Sequence, residues 1–409
     1  MFRHSTYPAA LFGRSKRLFN KHAAVNRRRL RFESLEQRQL LASVVVGNAL
    51  DVVNGNTSSI AALIATSGND GISLREATIA ANNTAGADEI KFAAALSGQT
   101  ITLSLGDLNL RDSVTIVGPG ANLLNVVVHD PTPTQKNGDG ARVFNVNDQT
   151  DTLHIVTIYG LSISGGDTIG SGGGVLSSEL LTLDRVTVTN NATAGNGGGI
   201  ENWAGGILIV SNSTISSNTA RLGTGNGTGG GIHSLGGRVT VEGSTITDNA
   251  SGLNGGGIAS SNDLGLTIRN STISSNHASG DGGGIFTFNT TGRDVIEGTT
   301  ISGNTAIGDG GGVRLNLASY GLAEILNSTI EWNMTVFGDG GGVKQNGGSL
   351  TSLEIDRSTF RHNSAGDDGG GLFHQGGSLT VDRSTFHDNS AFDSGGGLWS
   401  STNLSGHEI

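Results

Sequence analysis

The chain has no cysteine, only four prolines, few aromatic residues (5%), and no apolar run approaching the ~20 residues that a membrane-spanning helix needs. The missing thiols exclude a disulfide framework, a thiol nucleophile and any zinc site built on cysteine. Basic residues are scarce as well, outside one segment. Residues 1–42 hold 10 of the 25 Lys and Arg against only Glu33 and Glu36, which leaves 15 basic and 33 acidic residues, a net of −18, for the remainder. An acidic body argues against nucleic acid as a partner, because phosphate binding needs a basic face; it is compatible with divalent cations. Glycine is the abundant residue, 67 of 409, without a collagen period, and aliphatic periodicity persists beside it, so the composition is that of a repeat protein.

The glycines are organised. A Gly triplet followed by an aliphatic residue occurs nine times, beginning at Gly172, Gly197, Gly229, Gly255, Gly282, Gly310, Gly340, Gly369 and Gly395, with steps of 25 to 32 residues. A second marker, Ser-Thr-Ile-x-x-Asn, recurs within each period, as in Ser213 to Asn218 and Ser244 to Asn249, with Phe for Ile at Phe360 and Phe386. Between the markers lie short alternating runs such as Gly237 to Ile246, too short and too β-branched for helices. One such unit has no partner for its apolar side, and stacking copies in register supplies one. The spacing predicts a single-chain, right-handed parallel β-helix. Val188, Ile215, Ile246, Ile273, Ile301, Ile330, Phe360 and Phe386 form one expected interior ladder; Leu183, Val210, Val241, Ile268, Ile296, Ile325, Ile355 and Val381 form another. The Asn column from Asn191 to Asn389 reads as an amide ladder at a turn, with Asn taking the left-handed backbone conformation.

Four segments follow. Residues 1–42 read as a basic targeting segment, 43–100 as a cap, 101–171 as irregular first coils and 172–409 as the regular array. In the cap, Ser73-Leu74-Arg75-Glu76 has capping-box spacing and opens a short helix near 73–82, with Leu74, Ala77, Ala80 and Ala81 on one face. Strands are expected at Ile101 to Leu105, Val114 to Val117, Leu124 to Val128, Val143 to Val146 and Leu153 to Ile158. The last repeat stops after its triplet, so the sequence predicts either a truncated product or an open end that docks end to end on another copy or another protein.

Several stretches resemble known families. The pairing of a Gly-Gly-x-aliphatic motif with Phe360-Arg361-His362-Asn363 and Phe386-His387-Asp388-Asn389 resembles the repeats of polymorphic outer-membrane proteins, which implies a surface-exposed β-helical passenger; Gly stands where that family usually has Ala. Ile72-Ser73-Leu74-Arg75-Glu76-Ala77 is similar to the CSLREA-type region ahead of bacterial β-helices, with Ile72 at the Cys position. Leu35-Glu36-Gln37-Arg38-Gln39-Leu40-Leu41-Ala42 resembles the LEPR-XLL motif at the front of exported surface proteins of aquatic bacteria, with Gln37 in place of Pro. The apolar stretch Leu40 to Val46 behind it is shorter than a signal-peptide core. These likenesses imply an exported protein of the cell surface, outer membrane or extracellular space.

Two columns could carry chemistry. Asp281, Asp309, Asp339 and Asp368 precede four successive triplets, with Asp367 and Asp393 close by; stacked carboxylates repel unless screened, protonated or bridged, and oxygen-rich turns suit Ca²⁺. The residue after each Gly-Gly-Gly-aliphatic unit is expected to point outward, so Phe286, Arg314, Lys344, Phe373 and Trp399 form a strip suited to an acidic polysaccharide. Each also has a plain reading as solvated loop carboxylates or ordinary surface residues. No nucleophile elbow, P-loop or zinc spacing occurs, no catalytic residue is assigned, and none of His233, His277, His362, His374 and His387 has a partner at motif spacing. The sequence therefore favours a structural or adhesive surface protein. The alternative is a polysaccharide-binding module, or a lyase or hydrolase of the pectate-lyase-like class.

Overall fold

The computed structural model describes residues 41–132, 135–150, 152–203, 205–221 and 226–401. The chain divides into Met1–Arg38 and Gln39–Ile409, and the described residues belong to the second unit. Of the expected targeting segment, only Leu41 and Ala42 are among them.

The fold is an all-β, right-handed parallel β-helix of about 11 turns. One coil shows the plan. Arg238–Glu242 lies in sheet 1, Thr245–Thr247 in sheet 2, Ala250–Ser251 in sheet 3 and Ile258–Ser261 in sheet 4, after which Leu266–Arg269 returns to sheet 1 beside Arg238–Glu242. Among the described residues the four sheets contain 12, 11, 9 and 11 strands, each strand hydrogen-bonded to its counterparts one coil away. The expected ladders form as read. Ile246 pairs with Ile215 and Ile273, Val241 with Val210 and Ile268, and all of them are buried. Phe360 and Phe386 continue the isoleucine ladder as stacked rings 4.5 Å apart. Each fully buried aliphatic side chain contributes about 1.5–3 kcal/mol, and repetition makes these ladders the main source of stability.

The Ser-Thr-Ile-x-x-Asn marker closes two corners. At the first, a Ser or Thr hydroxyl accepts the N–H of the preceding coil's equivalent, as from Ser328 N to Ser358 Oγ at 3.1 Å. At the second, Asn304 Nδ2 donates to Asn333 Oδ1 and to the Ile273 carbonyl, both at 2.9 Å, and the pattern runs along the column. The amide ladder is therefore present, but its asparagines do not take the left-handed conformation. That falls on the residue before each: Asn190, Ser217, Asp248, Ser275, Gly303, Trp332, His362 and Asp388 all have φ between 54° and 63°. A left-handed residue there turns the chain so that the next side chain, the Asn, points inward, where it is buried in the coils that cover it.

The Gly triplets have a steric cause. At Gly282 φ is +66°; a Cβ on Gly283 would lie 2.4 Å from the Gly311 carbonyl oxygen, and one on Gly284 would lie 2.7 Å from that of Gly312. The first glycine is required by conformation, the others by the next coil.

At the N-terminal end, helices α1 (Ile60–Ala65) and α2 (Leu74–Asn82) pack against the first strands. The capping box forms, with Ser73 N donating to Glu76 Oε2 at 2.9 Å and Glu76 N to Ser73 Oγ at 3.1 Å. The other Glu76 oxygen accepts Asn54 and Gly55 N–H groups, so its buried charge is fully hydrogen-bonded. Leu74, Ala77, Ala80 and Ala81 join the core. The apolar stretch that ends at Val46 is itself the first strand, Ala42–Val46, paired with Asp88–Phe92 in sheet 1, with Val44 and Val46 buried. Among the irregular coils, the strands at Val114–Val117 and Leu124–Val128 match the expectation, whereas Gln99–Leu103 and Ile155–Tyr159 are displaced by about a residue or two; Leu108–Leu110 was too short to read.

Candidate functional site

Where sheet 3 gives way to sheet 4, two columns run side by side. The first holds the residues before the triplets. The Asn and Asp members present a short acceptor to the backbone of the next coil: Asn254 Oδ1 accepts Asp281 N at 2.9 Å, Asp281 Oδ1 accepts Asp309 N at 2.8 Å, Asp309 Oδ1 accepts Asp339 N at 3.1 Å, and Asp339 Oδ1 accepts Asp368 N at 3.1 Å. This explains why Asn and Asp recur at one position, and Ser171 Oγ accepts Asn196 N in the same way.

The second column is the expected strip. Phe286, Arg314, Lys344, Phe373 and Trp399 do stack in one register, and their neighbours Ile285, Val313, Val343 and Leu372 lie in the core, so the strip is on the outer face. It is not an open surface, however. Phe286, Arg314, Lys344 and Phe373 are only 6–8% exposed, and Trp399 is half-buried. The side chains cover one another: Phe373 and Trp399 stack at 4.3 Å, and the Lys344 ammonium lies 4.8 Å from the Phe373 ring centroid.

The two columns neutralise each other. Lys344 Nζ is 2.7 Å from Asp309 Oδ2 and 2.8 Å from Asp339 Oδ2, while Arg314 Nε is 3.6 Å from Asp309 Oδ2 and 3.8 Å from Asp281 Oδ2. Burial pulls the Arg314 pKa below its ordinary value, and Asp309, Asp281 and Asp339 oppose that shift. Three of the four predicted carboxylates thus have a cation of the chain's own between them. The fourth, Asp368, groups instead with Asp367 and Asp393, their carboxylate oxygens within 4.8 Å of one another. The Asp367 carboxyl is pushed up, by desolvation first and then by Asp339, Asp368 and Asp393. This trio, and a similar one of Asp130, Asp139 and Asp167, are the sets of acidic residues close enough to hold a cation among the described residues.

Two arrangements escaped sequence reading. His233 and Glu201 occupy the outer column of sheet 4 one coil apart, with His233 Nδ1 2.9 Å from both Glu201 oxygens. Burial pushes the Glu201 carboxyl up, against the lowering effect of His233. His154 sits between two carboxylates, Nε2 2.9 Å from Asp148 Oδ2 and Nδ1 3.3 Å from Asp112 Oδ1. Nearby, Glu179 and Trp203 line a pocket with Asn147, Thr150, Thr152 and Ser178. In each case the partners meet through coil register or an irregular loop, and no fixed spacing in the sequence marks them.

A family model described as a right-handed β-helix region matches residues 223–406, and one described as planctomycete extracellular matches residues 26–45. Among solved structures, the chain is similar to pectate lyase Pel9A, at 15% identity over 90% of this chain and 80% of that one, with a TM-score of 0.43. It is also similar to the A-module of the mannuronan C-5 epimerase AlgE6 of Azotobacter vinelandii, at 12% identity over 78% and 91%, with a TM-score of 0.39. No curated protein matches the sequence. No helix among the described residues is long and apolar enough to cross a membrane.

Proposed function

We propose that the chain is an exported β-helix that works outside the cell as a stiff structural and adhesive rod, meeting its partner through a repeated face and not through a catalytic cleft. Export is supported by the match at residues 26–45. The observation that carries the adhesive reading is the closure of the sheet 4 columns, where Arg314 and Lys344 are spent on Asp281, Asp309 and Asp339, and Phe373 on Trp399. A catalytic carboxylate needs a free proton path, and the Asp309 and Asp339 carboxylates, though partly exposed, share the Lys344 ammonium between them. Attachment at the cell surface or outer membrane, in the manner of the surface passengers that the repeats resemble, belongs to the same reading.

The polysaccharide-processing alternative draws on one feature, the imidazole-carboxylate pairs at Glu201 with His233 and at Asp148 with His154. Glu201 is fully buried, which favours a structural role for the first. Incubating the intact chain with a polysaccharide panel and with isolated cell envelopes, and measuring both retention and released reducing ends or unsaturated products, separates the readings. Retention without product supports the rod. Product release overturns it in favour of an enzyme, and absence of retention on every surface removes the adhesive role.

A further inference from the structure

The left-handed column before the asparagines holds one residue that its backbone disfavours. Asn, Ser, Asp and Gly are ordinary at positive φ, and Asn190, Ser217, Asp248, Ser275 and Gly303 fill the earlier coils; Trp332 stands in the same column at φ 57°. A bulky ring at such an angle is strained locally, and strain of this kind marks places where the side chain has a task. Trp332 contributes nothing to the core, since it is 60% exposed. One face of its indole is covered by the His362 ring, 4.1 Å away and nearly parallel at 17°. The opposite face looks along the rod toward the preceding coil, where the equivalent residue is Gly303, because Ser302 pairs with Glu331. A Cβ on Gly303 would meet nothing closer than 3.9 Å. With coils about 4.8 Å apart, the missing side chain leaves a slot about two coil spacings high between Trp332 and Ser275, enough for one flat ring against the indole.

The rim of this slot is polar and electrically balanced. Glu331, next to Trp332 and outward from sheet 2, is held by Arg361 of the next coil, with Arg361 Nε and Nη2 each 2.6 Å from Glu331 Oε2. A guanidinium carries five N–H donors, and the Arg361 side chain is 43% exposed, so it keeps donors beyond those Glu331 takes.

We propose that Trp332 is a glycan platform: the C–H face of one pyranose ring of a neutral extracellular polysaccharide stacks on the free side of the indole over Gly303, while Glu331 and Arg361 hydrogen-bond adjacent hydroxyls. Neutral sugar is favoured over acidic sugar by charge. The body beyond residue 42 carries a net of −18, and the pair of Glu331 and Arg361 leaves no surplus cation to offset it. This site deepens the adhesive reading above and takes from it only the export of the rod. It lies on sheet 2, away from the closed columns of sheet 4.

The test uses the full chain and three neutral probes, a cello-oligosaccharide, a mannan fragment and a laminarin fragment, with an oligogalacturonate as the acidic comparison. Two variants keep the fold by borrowing residues the column already accepts: Trp332→Ser, as at Ser217 and Ser275, and Gly303→Asn, as at Asn190. At least one neutral probe should bind the wild type with a change in tryptophan fluorescence, and each variant should weaken that binding at least tenfold, with unchanged circular dichroism. Neutral binding that both variants retain overturns the platform and leaves the adhesive rod standing. Equal or tighter binding of the oligogalacturonate overturns the neutral assignment. A wild type held by cell envelopes but by none of the neutral probes also refutes the platform, and one held by nothing defeats both readings.

Discussion

The amide ladder can be broken at one rung with a predictable outcome. Asn304 is fully buried and makes four side-chain hydrogen bonds: Nδ2 donates to Asn333 Oδ1 and the Ile273 carbonyl, and Oδ1 accepts Asn276 N at 3.0 Å and Asn276 Nδ2 at 2.9 Å. In Asn304→Ala, Asn333 Oδ1 keeps the Asn304 N–H and Asn276 Nδ2 keeps the Ile246 carbonyl, but the buried Asn276 N–H loses its acceptor. At about 1 kcal/mol net per bond, with a further ~1–3 kcal/mol for the stranded donor, the local loss is on the order of 5 kcal/mol. Asn304→Asp keeps the shape and both acceptor bonds yet turns an oxygen toward two oxygens, so the folded chain accepts that residue only when it is protonated. Its folded pKa rises above the unfolded value of about 3.9, so the stability it supports is present below that pH and is lost as pH rises through the folded value. A stacked solenoid opens locally, so the assay is amide hydrogen exchange across residues 272–306, not one global melt. Exchange at Asn276 should quicken by roughly several thousandfold in the Ala variant, at about 1.4 kcal/mol per factor of ten. The Asp variant should be protected near pH 4 and lose protection near pH 8. An Ala variant within threefold of wild type, or an Asp variant indifferent to pH, refutes the ladder as a source of stability.

Other columns make further predictions. Asp294 points into the core of sheet 1 between Leu266 and Ala323, and its carboxyl is pushed up to about 6, chiefly by burial. Because the folded value exceeds the unfolded one, its contribution is fully present below about pH 4 and fades as pH rises through 6, a difference of about 3 kcal/mol; Asp294→Asn should flatten that dependence and raise the urea midpoint at pH 8. Gly283→Ala places a Cβ 2.4 Å from the Gly311 oxygen and should destabilise its joint by about 2 kcal/mol or more, read as lost amide protection in the two coils it joins; wild-type protection there would show the triplet to be dispensable. Lys344→Met leaves Asp309 and Asp339 without their shared cation. Its melting temperature should fall and recover with millimolar Ca²⁺, while the wild type responds weakly; equal responses of the two chains would mean that Lys344 does not hold that edge together.

What the sequence made legible is what every coil repeats. The Ile301 column, the Asn304 column and the Gly282 triplet recur with constant neighbours, so their stacking follows from periodicity alone. The register of the Phe286 to Trp399 strip was legible for the same reason. Its burial was not, because closure depends on where the Asp309 and Asp339 side chains reach after a turn, and alternation along a strand says nothing about that. Glu201 and His233 lie 32 residues apart, the longest coil in the array, and meet only because the two coils regain register. Trp332 looked like ordinary variation in the Ser-Thr-Ile-x-x-Asn marker, since the left-handed angle belongs to the residue before the asparagine and not to the asparagine itself.

The stacking on which these columns depend is open to direct measurement, and the absence of native cysteine makes labelling clean. The outward residues Thr189, Ser216, Thr247, Ser274, Ser302, Glu331, Arg361 and His387 are successive partners in sheet 2. Spin labels on paired cysteine substitutions, read by double electron–electron resonance, should give distances that grow by about 4.8 Å per coil: near 19 Å from residue 189 to 302, 29 Å from 216 to 387 and 34 Å from 189 to 387. Distances that level off, or that fail to grow by one constant step per coil, would contradict the stack and every column built on it.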